Sequence, residues 1–149
     1  MTGNPAHAGP YRARSIARLA RTLACVFIVS AARAETPGDF IAQYTAEAKA
    51  ENASFAGFDP ARGEQWFKEV REGKWSCASC HTEDPRQPGR HKLTDKVIKP
   101  LAPAVEATRF TDSRKVAKWF RRNCNDVLKR ACTAREKGDV LSYLIGLKP

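Results

Sequence analysis

Methionine is nearly absent from this sequence, whose only one is Met1. The rest of the chain therefore cannot supply a methionine sulfur to a metal ion, and any metal ligand must come from another residue type. Acidic residues are absent from residues 1–34, where five arginines occur. The apolar run from Leu23 to Ala32 is about half the length that a membrane-spanning helix needs. We therefore expect no permanent membrane anchor.

The first 34 residues have the order of a secretory signal peptide. A basic stretch leads into the short apolar run, and "ARAE" then supplies an A-x-A site that predicts cleavage after Ala34. No cysteine stands at the cleavage point, and no Arg-Arg pair precedes the apolar run, which favours the general export route over lipoprotein or twin-arginine export. We assign residues 1–34 to a signal peptide and residues 35–149 to one small domain, and we expect a periplasmic location.

Loss of that segment halves the positive charge. The formal net charge is +10, and residues 1–34 hold five of the 26 basic residues and no acid, so residues 35–149 carry +5. This surplus suggests an acidic partner surface or an anionic cofactor. We find no nucleic-acid recognition motif and expect no nucleic-acid partner. No Ser/His/Asp set, paired acids or phosphate loop is recognisable, so the sequence indicates no catalysis of those kinds and favours a carrier or binding protein over an enzyme.

Residues 35–149 predict an all-α fold with four main helices. Helix starts are indicated by Thr36 before Pro37, by Asp59 before a stretch ending near Gly73, by "RFTD", and by the capping box "TARE". We find no alternating strand pattern. Residues 82–109 hold four prolines, which rule out a continuous helix there. So long a loop is uncommon in a small domain unless it packs around something.

The stretch "KWSCASCHTED" contains a C-x-x-C-H motif, typical of covalently attached haem. Cys77 and Cys80 would form thioether bonds to one haem c, and His81 would be the proximal iron ligand. A zinc site using these two cysteines with Cys124 and Cys132 is an alternative, but C-x2-C-x43-C-x7-C is not a common zinc spacing. A redox dithiol usually follows a strand, whereas the preceding segment here is predicted to be helical.

The segments that flank the motif extend this interpretation. "ARGEQWF" and "GDVLSYLIGL" resemble the first and last helices of class I c-type cytochromes. The resemblance implies a small cytochrome c-like fold of four to five helices around one covalently bound haem. It also implies that Gly63 lets these two helices cross closely, with Phe67 and Tyr143 packed near the crossing.

The sixth iron ligand has several candidates. His91 is the only other histidine of residues 35–149, although it lies in a basic run; a lysine would have to be neutral, and the position could also be empty. On a helix at about 100° per residue, Asn123 lies on the apolar face with Val116 and Val127, while Asn125 points away. An amide in an apolar place needs a partner, which could be iron, a helix end or backbone.

Cys124 and Cys132 are the cysteines left unassigned, and a disulfide between them would close a nine-residue loop worth roughly 2–3 kcal/mol. "IKPLAP", "RFTDSRKVAKWFRRNCNDV" and a second Cys eight residues on resemble the sphaeroides haem protein (SHP) family of c-type cytochromes, across essentially all of residues 35–149. The resemblance implies a Cys124–Cys132 disulfide. It implies that Asn123 binds ferric haem, leaves on reduction, and so lets ferrous haem bind diatomic gases.

Two functional classes follow from this set. The first is a periplasmic electron carrier, whose redox partner the resemblance suggests is a dihaem or membrane-linked cytochrome. Lys92, Lys96 and Lys99 could dock an acidic partner, or could simply be a solvated face. The second class is a gas-binding sensor, scavenger or weak O2 or NO reductase. An amide oxygen suits Fe(III) better than Fe(II), so reduction should loosen it in either class.

Overall fold

A computed structural model describes Thr2, Gly3 and residues 34–149, so the signal-peptide prediction lies outside the described residues. Within residues 34–149 the chain forms five helices and two very short strands. The helices are α1 (Pro37–Glu51), α2 (Pro60–Lys68), α3 (Ala78–His81), α4 (Ser113–Leu128) and α5 (Ala134–Gly146), and the strands are β1 (Gly89–Arg90) and β2 (Val97–Ile98). The all-α prediction is confirmed. None of the described helices combines the length and the apolar character that crossing a membrane requires.

The four main helices begin where the capping residues predict. Thr36 and Asp39 form a capping box at α1, and Thr133 forms one with Glu136 at α5. The Asp59 side chain accepts a hydrogen bond from the Ala61 amide at 2.9 Å at the start of α2. Asp112 does the same for α4. Each cap satisfies amides that lack a partner in the first turn, so local chemistry sets these starts.

The end of α2 was wrongly predicted. The helix stops at Lys68, and Glu69 is already extended, whereas the sequence suggested continuation to about Gly73. A Cβ atom on Gly73 would lie 2.5 Å from the carbonyl oxygen of Val127. After leaving the helix at Glu69, the chain passes Gly73 against the last turn of α4, a long-range contact that no local pattern reveals.

Helices α2 and α5 cross in backbone contact. A Cβ atom on Gly63 would lie 2.0 Å from the Asp139 carbonyl oxygen, so only glycine fits there. The rings of Phe67 and Tyr143 pack beside the crossing, with centroids 5.7 Å apart, and both residues are buried. The buried Asp139 carboxylate accepts a hydrogen bond from the Arg62 guanidinium at 2.7 Å. The packing implied by the cytochrome resemblance is therefore confirmed.

A second cluster attaches α1 and α4 to α5. Phe40 and Tyr44 of α1 pack with Val116 of α4 and Leu141 of α5. The edge of the Tyr44 ring meets Phe120, with centroids 5.8 Å apart. These contacts bury one face of α4 and fix which of its residues face inward.

The proline-rich loop of residues 82–109 is ordered by its own hydrogen bonds. Strands β1 and β2 pair antiparallel, Gly89 opposite Ile98, and the Pro85 carbonyl accepts hydrogen bonds from the Leu101 and Ala102 amides. The sequence did not predict these strands because two residues are too few to show an alternating pattern.

Candidate functional site

The C-x-x-C-H motif forms a single helical turn. The Cys80 and His81 amides donate to the Cys77 carbonyl at 3.2 and 3.0 Å, which closes α3. The Ser76 amide donates to the Ser79 hydroxyl at 3.0 Å and so braces the start of the turn. Cys77 and Cys80 are free thiols three residues apart, hence on neighbouring positions of one helical face.

Burial sets the protonation of the motif. Burial, together with the nearby Arg109 charge, lowers the pKa of His81 to about 4. His81 is therefore a neutral imidazole at neutral pH, which is the form that binds a metal. Burial also raises the pKa of Cys77 to about 11. Among residues 34–149 no hydrogen bond to the His81 ring occurs, so its nitrogens are not used in holding the fold.

The backbone closes tightly around this turn. A Cβ atom on Gly89 would lie 2.0 Å from the Cys80 carbonyl oxygen, so β1 approaches the motif with no room for a side chain. Directly after His81, Thr82 has a positive φ of 65°, and its hydroxyl donates to the Asp84 carbonyl at 2.6 Å. The Phe67 ring lies 6.4 Å from the His81 ring, centroid to centroid. Two free thiols and a neutral imidazole on one fixed turn fit covalently bound haem.

The zinc alternative fails on the other two cysteines. Cys124 and Cys132 are joined by a disulfide with their Cα atoms 5.6 Å apart, as the resemblance implied, so neither is available as a thiolate. In the part of the chain that the structure describes, no three His, Cys, Asp or Glu side chains converge as a metal site. The motif cysteines are thus left for another role.

Asn123 is on α4, directly before the disulfide residue Cys124. It is half-buried, whereas Asn125 on the other side of the helix is exposed. The helix continues to Leu128 and is capped by Lys129, so Asn123 does not cap a helix end. No hydrogen bond to its side-chain amide exists within the described residues. Of the roles open to Asn123, capping is therefore excluded and backbone bonding is not observed.

His91 has a structural role of its own. Its Nδ1 atom accepts hydrogen bonds from the Leu93 and Thr94 amides, each at 3.3 Å. These bonds shape the turn that joins β1 to β2. A histidine that organises a hairpin turn is less free to move towards a metal than the unpartnered amide of Asn123.

Sequence reasoning missed Arg109. Its guanidinium donates to the carbonyl oxygens of Pro100 at 2.7 Å and Lys99 at 2.6 Å, and its charge helps to lower the pKa of His81. Burial lowers the pKa of Arg109 itself. A lone arginine in a proline-rich loop has no periodicity or spacing that would identify it, so its proximity to His81 comes only from the fold.

Comparisons with known proteins identify the family. Residues 53–144 match a family described as "Domain of unknown function (DUF1924)". Cytochrome c-type protein SHP of Cereibacter sphaeroides is 41% identical over 113 residues, which cover 73% of this chain and 82% of that protein. Cytochrome c'' of Methylophilus methylotrophus is 43% identical over 79 residues, covering 53% of this chain and 55% of that protein.

Solved structures give the same result. Oxidised SHP, described as an oxygen-binding cytochrome c, matches with a TM-score of 0.66 and 40% identity, over 75% of this chain and 97% of that one. Oxidised cytochrome c'' matches with a TM-score of 0.70 and 32% identity, over 76% and 95%. Sequence, fold and motif geometry coincide: the chain belongs to the SHP-type c-type cytochromes, and its cofactor is covalently bound haem c.

Proposed function

We propose that this protein is an exported monohaem c-type cytochrome that transfers electrons, with a sixth ligand that is released on reduction so that O2 or NO can bind. Residues 1–34 would direct export to the periplasm and be removed after Ala34. N-terminal sequencing of the purified holoprotein should then begin at Glu35. A chain that retains its first residues in the purified protein would contradict this part of the proposal.

Helix α3, with Cys77, Cys80 and His81, holds the cofactor. Each thiol of Cys77 and Cys80 would add its sulfur to one carbon of a haem vinyl group and its hydrogen to the other carbon of that group, so the attachment needs no oxidant. His81 offers a neutral ring nitrogen, because its low pKa keeps the proton off. When bound, haem c supplies a one-electron Fe(III)/Fe(II) couple and a second axial position.

The observation that carries the proposal is the side-chain amide of Asn123, half-buried and without a hydrogen bond among the described residues. We assign it the second axial position in the ferric state. An amide oxygen is a hard donor and suits Fe(III) better than Fe(II), so reduction should release it. Without a methionine sulfur, the potential should be lower than in a cytochrome with Met/His ligands.

Two relatives support this assignment. The C. sphaeroides structure is described as that of an oxygen-binding cytochrome c. A solution structure of cytochrome c'', matching with a TM-score of 0.69, is described as giving insight into haem-ligand detachment. We extend both properties, ligand release and gas binding, to this chain.

The test is the absorption spectrum of the ferric and ferrous holoprotein, with and without CO. We expect the ferrous form to become high-spin and to bind CO rapidly. Asn123→Ala should change the ferric spectrum, whereas the matched control Asn125→Ala, two residues on and exposed, should resemble the wild type. A low-spin ferrous form indifferent to CO would instead indicate a strong ligand such as His91 or a lysine, and His91→Ala would identify which.

A gas-binding role is the second candidate, favoured by the description of SHP as oxygen-binding. In that case the protein would be a sensor, scavenger or weak O2 or NO reductase rather than a carrier. Stopped-flow mixing of O2 or NO with the holoprotein, kept reduced by an excess of a chemical electron donor, separates the two. Catalytic consumption of gas favours this role, whereas rapid exchange with a dihaem or membrane-linked cytochrome and no turnover favours electron transfer.

A further inference from the structure

Helix α4 concentrates positive charge on its outer side. It carries five basic residues and one acid, Asp126. The basic residues are Arg114, Lys115, Lys118, Arg121 and Arg122, and all are exposed. At about 100° per residue, all but Lys115 fall within about 60° of the direction opposite the buried Val116. These four residues, Arg114, Lys118, Arg121 and Arg122, are called the α4 cationic face below.

The cations of this face form no ion pair within the described residues, and only Arg114 acts at longer range on a carboxylate, that of Asp112, whose pKa it helps to lower. Lys115 pairs with Asp112 at 3.5 Å, but no carboxylate of the described residues lies within ion-pair distance of the four others. The basic run of the β1–β2 hairpin is different. There Arg90 pairs with Asp95 at 3.1 Å, and Lys99 pairs with Glu106 at 3.1 Å. Lys92 and Lys96 of the hairpin have no ion pair among the described residues, so the hairpin presents two uncompensated cations where α4 presents four.

Placing these cations close together is unfavourable unless negative charge lies opposite them. Arg114 and Lys118, and then Lys118 and Arg122, are four residues apart on one helix, a spacing at which like charges repel. Lys118 and Arg122 also flank the half-exposed Trp119, at 5.5 and 5.2 Å from its ring. These cation–π contacts hold two long side chains beside one aromatic surface. Arg and Trp are both enriched in protein–protein interfaces.

We infer that the α4 cationic face docks an acidic surface of the protein that exchanges electrons with this cytochrome. This inference rests on the function proposed above and names the surface at which it operates. Arg121 and Arg122 directly precede Asn123, so the partner would contact the helical turn that bears the proposed exchangeable ligand. An anionic membrane is a poorer occupant, because the apolar face of α4 packs against α1 and α5 and cannot enter lipid.

Two triple variants with equal loss of charge test the inference. Lys118→Gln/Arg121→Gln/Arg122→Gln neutralises the α4 cationic face, and Lys92→Gln/Lys96→Gln/Lys99→Gln neutralises the hairpin. The measured quantity is the second-order rate constant for reduction of the ferric holoprotein by reduced flavodoxin, used as an acidic protein donor. At about 20 mM salt we expect a loss of about tenfold or more for the first variant and under threefold for the second, with both differences vanishing in high salt.

Reduction by uncharged reduced lumiflavin controls for changed potential and should be similar in both variants. Equal losses with flavodoxin would show that net charge alone matters and would overturn the inference, as would a larger loss in the hairpin variant. Binding to phosphatidylglycerol vesicles that requires the α4 cations, without their effect on flavodoxin, would also overturn it. Failure of the proposed ligand release appears separately, in the CO spectra of Asn123→Ala.

Discussion

The two sides of the expected haem site are built differently. On the α3 side, Cys77, Cys80 and His81 share one helical turn. Gly89 approaches the backbone of that turn so closely that no side chain would fit between them. On the α4 side, Asn123 is half-buried and makes no hydrogen bond within the described residues. The nearest constraint there is the disulfide of the adjacent Cys124.

The difference fits the proposal of a permanent bond on the α3 side and an exchangeable ligand on the α4 side. Backbone contacts on the α3 side leave no space in which the motif could rearrange, which suits covalent attachment. The α4 side holds its helix through buried side chains such as Val116 and Leu128 and leaves one amide without a structural task. A ligand that is released on reduction needs a rigid backbone and a side chain that no other bond holds. Helix α4 gives Asn123 both.

The largest expected effect removes the α3 side's attachment. Cys77→Ser/Cys80→Ser should abolish covalent haem, because a hydroxyl does not form the thioether bond. Acid-acetone extraction should then recover essentially all haem from the variant and none from the wild type. Cys124→Ser/Cys132→Ser is the matched control and should keep its haem through the same extraction. Haem that stays on the chain of the first variant would contradict the assignment of these thiols.

The next largest effect is expected on stability, at the crossing of α2 with α5. Gly63→Ala places a Cβ atom 2.0 Å from the Asp139 carbonyl oxygen, so α2 and α5 must separate. We expect a loss of about 3 kcal/mol in the free energy of unfolding, measured by guanidinium titration. Gly38→Ala in α1 is the control, since its Cβ would meet its nearest neighbour at 3.7 Å. Equal stability of the two variants would mean that the crossing is not tight.

Sequence patterns predicted the parts of this molecule that local chemistry controls. The starts at Thr36, Asp59 and Thr133 depend on side chains within one turn, so their positions could be predicted. The inward placement of Asn123 followed from helical geometry once α4 continued to Leu128. The Cys124–Cys132 pairing needed the family resemblance, because spacing alone leaves the pairing open.

Long-range contacts account for what could not be predicted. The path of the chain after α2 brings Gly73 against the last turn of α4, and the need for glycine at position 89 comes from the Cys80 carbonyl. Arg109 influences His81 although 28 positions of sequence separate them. These contacts join segments whose order in space is fixed only by the whole fold.

A smaller effect is expected from the constraint on the α4 side. Cys124→Ser/Cys132→Ser opens a nine-residue loop and should lower the free energy of unfolding by roughly 2–3 kcal/mol. If the disulfide also keeps Asn123 in place, the ferric spectrum should shift towards that of Asn123→Ala. Wild type treated with a phosphine reductant gives the matched comparison without mutation. Lower stability with an unchanged ferric spectrum would limit the disulfide to a stabilising role.

The smallest effect concerns the contact of α1 with α4, through the buried Tyr44. Burial, together with the Glu47 charge, raises the pKa of Tyr44 to about 12. Between about pH 10 and 12 the phenol would ionise in the unfolded chain but not in the folded one. The contribution of Tyr44 to the free energy of unfolding is therefore complete below pH 10. It falls by about 1–2 kcal/mol as the pH rises towards 12.

Tyr44→Phe keeps the ring that meets Phe120 and removes the ionisable group. The free energy of unfolding, measured by urea titration at half-unit steps from pH 9 to 12, should fall less in the variant than in the wild type. Lysines titrate in the same range, so the difference between the two proteins is the informative quantity. Parallel curves would show that the Tyr44 hydroxyl is solvated in the folded state. In that case α4 would pack less closely on α1 at Tyr44 than the burial of Val116 indicates.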